Sequence, residues 1–336
     1  MAINEKDDYP PLKVGLFYNV KHKSGSDEEA EYDSFSTIEA IKRALEKRDN
    51  TVVLFEEDSS LLEKIKDANI DIAFNIAEGK GGRGREAQIP AILNLFGIPY
   101  TGSDETTLCI ALDKALTKRV LATYKIKTPK YVLIPAKNPT RPVNLTYPVI
   151  VKPNAEGSSK GISDVAIAKN HKELTEVLKI NIEKYHQDML VEEYIHGREF
   201  TVGLIGNGKD LFVFEPMEII YKRPTQENFC VYSYSVKQNY EKYVDYVCPP
   251  DLPKAQIEKM KTVAANVFKI LSCSDFARID FRLDENGSLF FIEVNPLPGL
   301  APNYSDFPML ANFCGVDYDT LINKILVSAL KRVEKI

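Results

Sequence analysis

Hydrophobic positions recur along the chain in two alternating periods. The run Leu12 to Phe17 is continuous enough for a buried strand, and the spacing of Ile38, Ile41 and Leu45 predicts a helix with Ser36 and Glu39 as its capping box. Thr51–Phe55 reads as a second strand, Leu61–Ala68 as a helix and Asp71–Ile76 as a third strand. Strand and helix in alternation predict a parallel sheet with crossover helices, an open α/β unit. Its first turn carries no G-x-G-x-x-G, so a dinucleotide site there has no support.

After Gly97–Ser103, the spacing of Leu108, Leu112, Leu116 and Val120 predicts one helix that stops near Lys127, before Pro129. A strand over Tyr147–Pro153, another helix and a strand over Met189–Ile195 form an α+β unit. A third unit has strands near Phe200–Leu204 and Leu211–Phe214, a tyrosine-rich loop over Tyr221–Tyr246 and a helix from Lys254 to Leu271. Two more strands and a helical C-terminus close it. The expected domains are residues 1–106, 107–195 and 196–336, with no internal repeat.

Composition narrows the partners. With 336 residues, 44% hydrophobic and 27% charged, the chain can bury two or three cores. A net charge of -5 leaves no basic footprint, which disfavours nucleic acid and favours a small-molecule substrate. Cys109, Cys230, Cys248, Cys273 and Cys314 are widely spaced and odd in number, so neither a disulfide framework nor a zinc site is indicated. There is no charged-then-apolar leader, and no apolar stretch nears the roughly 18–20 residues of a membrane span, so a cytoplasmic protein is expected.

The sharpest candidate chemistry lies in Ala277–Pro296, where Asn286-Gly287 separates two alternating runs as in a tight hairpin. That turn pairs Leu283 with Phe290, Phe281 with Ile292, Asp280 with Glu293 and Arg278 with Asn295. Ile279, Phe281, Leu283, Phe290, Ile292 and Val294 then share the core face, and Arg278, Asp280, Glu293 and Asn295 the other. Opposed carboxylates repel, so a hard divalent ion held by Asp280, Glu293 and Asn295 suits the pattern. The competing account is a solvated face with incidental charges.

Lys152 ends an apolar strand just before the small-residue loop Ala155–Gly161, which is either a phosphate cradle or an ordinary connection, and is not a Walker A motif. Glu192, Glu193 and Glu199 flank the turn in LVEEYIHGREF, either an adenosine slot or a solvated turn. Lys114 on its own is an ordinary helix lysine.

Taken in order from Gly97 to Gly299, GIPYTGS, LDKALTK, YPVIVKP with AEGSSKG, LVEEYIHGREFTV, VYSYSVKQ, DFARIDF and FIEVNPLPG resemble the D-alanine:D-alanine ligase family of the ATP-grasp superfamily. The resemblance implies an ATP-grasp fold of α/β and α+β parts behind an N-terminal open α/β domain. It also implies a ligase that phosphorylates a carboxylate with ATP and lets an amine attack the acyl phosphate. Lys114 and Lys152 would contact ATP phosphates, Glu192, Glu193, Ile195 and Glu199 would line the adenosine site, and Ser158 and Ser159 would sit in a closing loop. Lys237 would reach the γ-phosphate, Asp280, Glu293 and Asn295 would hold two Mg2+ ions, with Mn2+ as a substitute, and Arg278 with the Gly299 amide would face the oxyanion.

Departures from the family pattern fall on the amino-acid pocket. Glu31 in AEYDS is a loose counterpart of the glutamate that holds the first substrate's ammonium, and Glu78 stands where histidine is expected. Gln238 replaces a tyrosine, and the serine that receives the second carboxylate falls near Tyr304 or Ser305. Arg83 and Arg85 are either receivers of an extra substrate carboxylate or plain loop arginines. The implied product is D-alanyl-D-alanine for peptidoglycan; the alternatives are a ligase for another amino acid or peptide, and a non-catalytic nucleotide-binding module. Homodimers are usual in that family.

Overall fold

A computed structural model describes residues 9–22, 29, 31–156, 166–225, 229–233, 236 and 239–334. Strand β1 (Lys13–Tyr18) is the centre of a parallel three-stranded sheet, between β2 (Thr51–Glu56) and β3 (Ile72–Asn75). Helices α1 (Phe35–Glu46), α2 (Leu61–Lys66) and α3 (Gln88–Leu95) complete the predicted alternation. The cap of α1 is Ser34, which accepts from the Thr37 amide, so the Ser36–Glu39 box is placed two residues late. The reason lies outside the helix: Asp33 is held extended against Val20 by backbone bonds to Asn19 and Lys21.

The predicted long helix after Ser103 is two helices, α4 (Glu105–Leu112) and α5 (Lys114–Thr123), broken at extended Asp113. The break has a tertiary cause. Asn154, at the end of strand β5 (Val149–Pro153), accepts from the Lys114 amide through its backbone carbonyl and from the Ala115 amide through Oδ1, while its Nδ2 donates to Asp113 at 2.8 Å. Those bonds replace the ones an unbroken helix would make to its preceding turn. Lys114 consequently opens a helix and is turned toward β5.

Strand β5 belongs to an antiparallel sheet ordered β4 (Tyr131–Ile134), β7 (Met189–Glu193), β5, β6 (Ile167–Ala168), backed by helix α6 (His171–Tyr185). The third sheet is also antiparallel: β11 (Val244–Val247), β10 (Met217–Tyr221), β8 (Arg198–Ile205), β12 (Phe276–Leu283) and β13 (Leu289–Asn295), with β9 (Phe212–Val213) on β8. Val202, Leu204, Ile279 and Phe281 of this sheet pack on Met260 and Val267 of α7 (Lys254–Ile270). Short helix α8 (Asp306–Phe313) precedes α9 (Tyr318–Arg332), whose Leu321, Ile325 and Leu326 share one core with Ile38, Ile41 and Leu45 of α1. Among the described residues, no helix is long and apolar enough to cross a membrane.

The β12–β13 hairpin keeps the expected register only at its far end. Arg278 faces Asn295, Ile279 faces Val294 and Asp280 faces Glu293, but a bulge after Asp280 then pairs Phe281 with Phe291 and Leu283 with Leu289. The turn is a residue longer than a two-residue Asn-Gly bend: Asp284 Oδ1 accepts from the amides of Asn286 and Ser288, and Gly287 takes a φ of 73°. Val294 is buried as expected, and Leu289 and Phe291 are the other buried residues of β13, in place of the expected Phe290 and Ile292. The bulge leaves Ile292 and Glu293 adjacent on the solvent side of the hairpin, where both border the same cleft.

Candidate active site

Four residue groups converge where the two antiparallel sheets face each other. Glu192 on β7 is buried between two lysines, with Lys118 Nζ at 2.7 Å and Lys152 Nζ at 2.8 Å. Burial opposes its charge, yet Lys118 and Lys152 together hold its carboxyl below the usual carboxylate range. Burial pulls Lys118 down to about 8 despite Glu192. For Lys152 burial is outweighed by Glu192 and Glu293, and its pKa is raised. Glu192 thus serves as the anchor that keeps Lys152 charged and aimed, in addition to bordering the slot. Lys118 escaped the sequence reading, although it lies four residues after Lys114 and so on the same helix face.

The second group is the outer face of the hairpin. Asp280 accepts from Arg278 at 3.1 and 3.0 Å, from the Thr201 hydroxyl at 2.6 Å and from Asn295 Nδ2 at 3.2 Å, with Glu293 directly across the ladder. Even so, burial, then Glu293, keep the Asp280 carboxyl above its ordinary value against the pull of Arg278. Two close carboxylates and an amide are hard oxygen donors, and the residual repulsion is what a divalent cation relieves; the donor set fits Mg2+. Among the described residues no three His, Cys, Asp or Glu side chains form a ready-made cage, so phosphate and water oxygens would have to complete such a coordination shell.

The third group is a slot bordered by Ile150, Lys152, Glu193, Tyr194, Val231 and Ile292, with Glu192, Ile195, Glu199, Asp280 and Glu293 also on its wall. Arg282 fastens the far side: it donates to the Ile195 carbonyl at 2.8 Å and to Glu199 at 2.7 Å, and Glu199 also accepts from Tyr221 at 2.7 Å. Strand alternation from Arg278 and Asp280 places Arg282 on the same face, a signal present in the sequence but not used.

The fourth is an acidic basin beside the slot, bordered by Glu31, Asp33, Glu78, Glu86, Lys114 and Arg278, with Glu293, Asn295 and Gly299 on its rim. Lys114 reaches the Glu156 carbonyl and lies 3.9 Å from Glu293. A cavity of 410 Å³ continues from the basin past Arg278 and Gly299 to Tyr304 and Ser305. Arg278 is fixed there by Asp306, at 3.3 Å, as well as by Asp280.

The two loop arginines separate. Arg83 is exposed and pairs with Asp113 at 2.8 Å, and it borders neither the slot, the basin nor the adjoining cavity. Arg85 is buried, donating to both Glu31 oxygens at 2.9 and 2.7 Å and to the Ala155 carbonyl at 3.0 Å, so it is committed within the protein. Ser158, Ser159 and Lys237 lie outside the described residues.

The loop that carries Glu78 and Arg85 turns on Gly79, whose φ is 76° and whose amide, like that of Glu78, donates to Asn19 Oδ1. A Cβ there would lie 2.0 Å from the Arg85 carbonyl oxygen. Gly79→Ala is expected to destabilise the fold by about 1–3 kcal/mol or more and to displace the Arg85–Glu31 pair, read as a lower melting temperature in a thermal denaturation scan.

Comparison with known proteins agrees with this architecture. The family model for the D-ala D-ala ligase C-terminus matches residues 125–327. A D-alanine–D-alanine ligase of Pelotomaculum thermopropionicum is 30% identical over 95% of this chain and 97% of its own length, and one of Carboxydothermus hydrogenoformans is 32% identical over 90% and 95%. In shape the chain is similar to the D-alanine–D-alanine ligase of Bacillus anthracis crystallised in complex with ATP, with a TM-score of 0.74, 23% identity and coverage of 96% and 99%; this likeness bears out the expected ATP-grasp fold.

Proposed function

The chain belongs to the D-alanine–D-alanine ligase family, and from that premise we propose that it is an ATP-dependent carboxylate–amine ligase working through an acyl phosphate. The observation that carries the reading is the position of Glu293, which borders both the slot and the acidic basin. A phosphoryl group passing from a nucleotide in one to a carboxylate in the other crosses that shared wall.

The slot suits ATP, the ligand of the Bacillus anthracis relative in its crystal. Ile150, Val231 and Ile292 offer apolar walls to a purine, while Glu193, the Ile195 carbonyl and Glu199 offer acceptors. Lys152, kept charged by Glu192, and Lys114 stand at the phosphate end. Asp280, Glu293 and Asn295 would hold Mg2+, which when bound screens the charge on the transferring phosphoryl group. Arg278, clamped by Asp280 and Asp306, and the Gly299 amide would face the carbon that is attacked, and the clamp on Arg278 would hold its donors ready before charge develops. The substrate amine then displaces phosphate from the acyl carbon and forms the amide. Tyr304 and Ser305 border the adjoining cavity where the second amino acid would enter. A cytoplasmic setting supplies the nucleotide.

The decisive experiment is ADP release from ATP and Mg2+ with D-alanine and with a panel of other amino acids, the product identified by mass. D-alanyl-D-alanine as the product places the chain in peptidoglycan synthesis. An amide from other amino acids keeps the chemistry and changes the substrate. ATP binding with no turnover on any amine and carboxylate refutes the ligase.

A further inference from the structure

Within the acidic basin the charges do not balance. Glu31 has its partner in Arg85, but among the described residues no hydrogen bond or ion pair reaches the carboxylates of Asp33, Glu78 or Glu86. Glu86 is the most confined of them, 8% exposed, set by the short turn Arg85–Ala87 that opens α3. The nearby cations have their direct partners elsewhere, Arg85 at Glu31, Arg278 at Asp280 and Asp306, Lys114 at the Glu156 carbonyl and near Glu293, and the pull of Arg85 and Lys114 on Glu86 falls short of the cost of its burial. A buried carboxylate with no partner is costly, and half-buried Asp33 and Glu78 around the same cavity add to the cost for Glu86. Burial pushes Glu86 and Asp33 up to about 7, and burial together with Glu31 and Glu86 lifts Glu78 well above the ordinary range. An amino acid with an uncharged side chain brings a single ammonium to this basin, which leaves Glu86 and Glu78 without a cation between them. A second cationic nitrogen answers it.

We propose that the first-substrate pocket selects an amino acid whose side chain carries its own amino group, a diamino acid, with Glu86 as the carboxylate that receives that group and Glu78 beside it. The inference rests on the ligase reading above and narrows its substrate. A cation pairs with the ionised carboxylates and draws their pKa values back down, which converts an unfavourable empty pocket into a favourable occupied one.

The test uses the full chain with ATP and Mg2+, scoring ADP release and product mass with lysine, ornithine and 2,3-diaminopropionate against alanine, each in both configurations. At least one diamino acid is expected to exceed alanine of the same configuration by roughly tenfold or more in kcat/KM, and Glu86→Gln to reduce that ratio by a similar factor. Glu78→Gln provides the same measurement if Glu86→Gln does not fold. Alanine preferred over every diamino acid, or a ratio that neither variant moves, overturns the proposal and leaves the ligase intact. Silence with every amino acid, in a protein that still binds ATP, overturns the ligase reading and this inference with it.

Discussion

Glu293→Gln is expected to lower turnover by roughly 10²–10⁴-fold, the several kcal/mol that a properly held metal contributes at a phosphoryl group, while leaving the protein about as stable as before. The two effects have one cause. Glu293 faces Asp280 across the hairpin, and burial together with that like charge keeps the Asp280 carboxyl above its usual value. Glutamine has the same shape and removes the repulsion from Asp280 along with the attraction to Lys114 and Lys152, so the melting temperature changes little as activity disappears. Activity lost without stability lost is the signature of a residue retained for chemistry. Single-turnover ADP release and a thermal scan on the same sample decide it; a variant with near wild-type turnover would sink the metal assignment.

The largest effect on stability is expected at Asp275, far from the slot. Its side chain is fully buried and accepts from the Gly102 amide at 2.8 Å, from Asn207 at 2.7 Å and from Arg332 at 3.1 and 2.8 Å, so one carboxylate ties the segment before α4, the end of β8 and the end of α9. Breaking a buried pair from one side costs about 3–5 kcal/mol, and Arg332 sits partly in solvent and keeps the Tyr100 carbonyl, which favours the lower figure. Asp275→Ala should therefore lower the melting temperature by on the order of 10 °C. Adding Arg332→Met should recover part of the loss, because it removes the orphaned guanidinium. A single variant that melts within a degree of the wild type would show that the tie carries no weight.

What the sequence determined by itself is whatever depends on neighbours along the chain. Periodicity gave the parallel alternation of β1 to β3, the amphipathic face of α1 and the two-strand pattern of the hairpin, since burial of one face leaves few ways to orient such segments. The order of short motifs from Gly97 to Gly299 gave the family, because each motif is a short run of neighbouring residues and their succession is read along the chain.

Only the tertiary structure decided the rest, and in each case the partner comes from elsewhere in the chain. Asn154 breaks the helix at Asp113 and so turns Lys114 inward. Lys127 takes the Phe291 amide and Lys118 takes the Ile292 carbonyl, bonds from outside the hairpin at the bulge that returns Ile292 to the slot. Glu192 becomes an anchor for Lys118 and Lys152, and Arg85 is spent on Glu31 instead of awaiting a ligand. Local rules measure propensity and period over a few residues; they are blind to a hydrogen bond or charge supplied from a distant part of the chain, and those long-range bonds set where each functional side chain points.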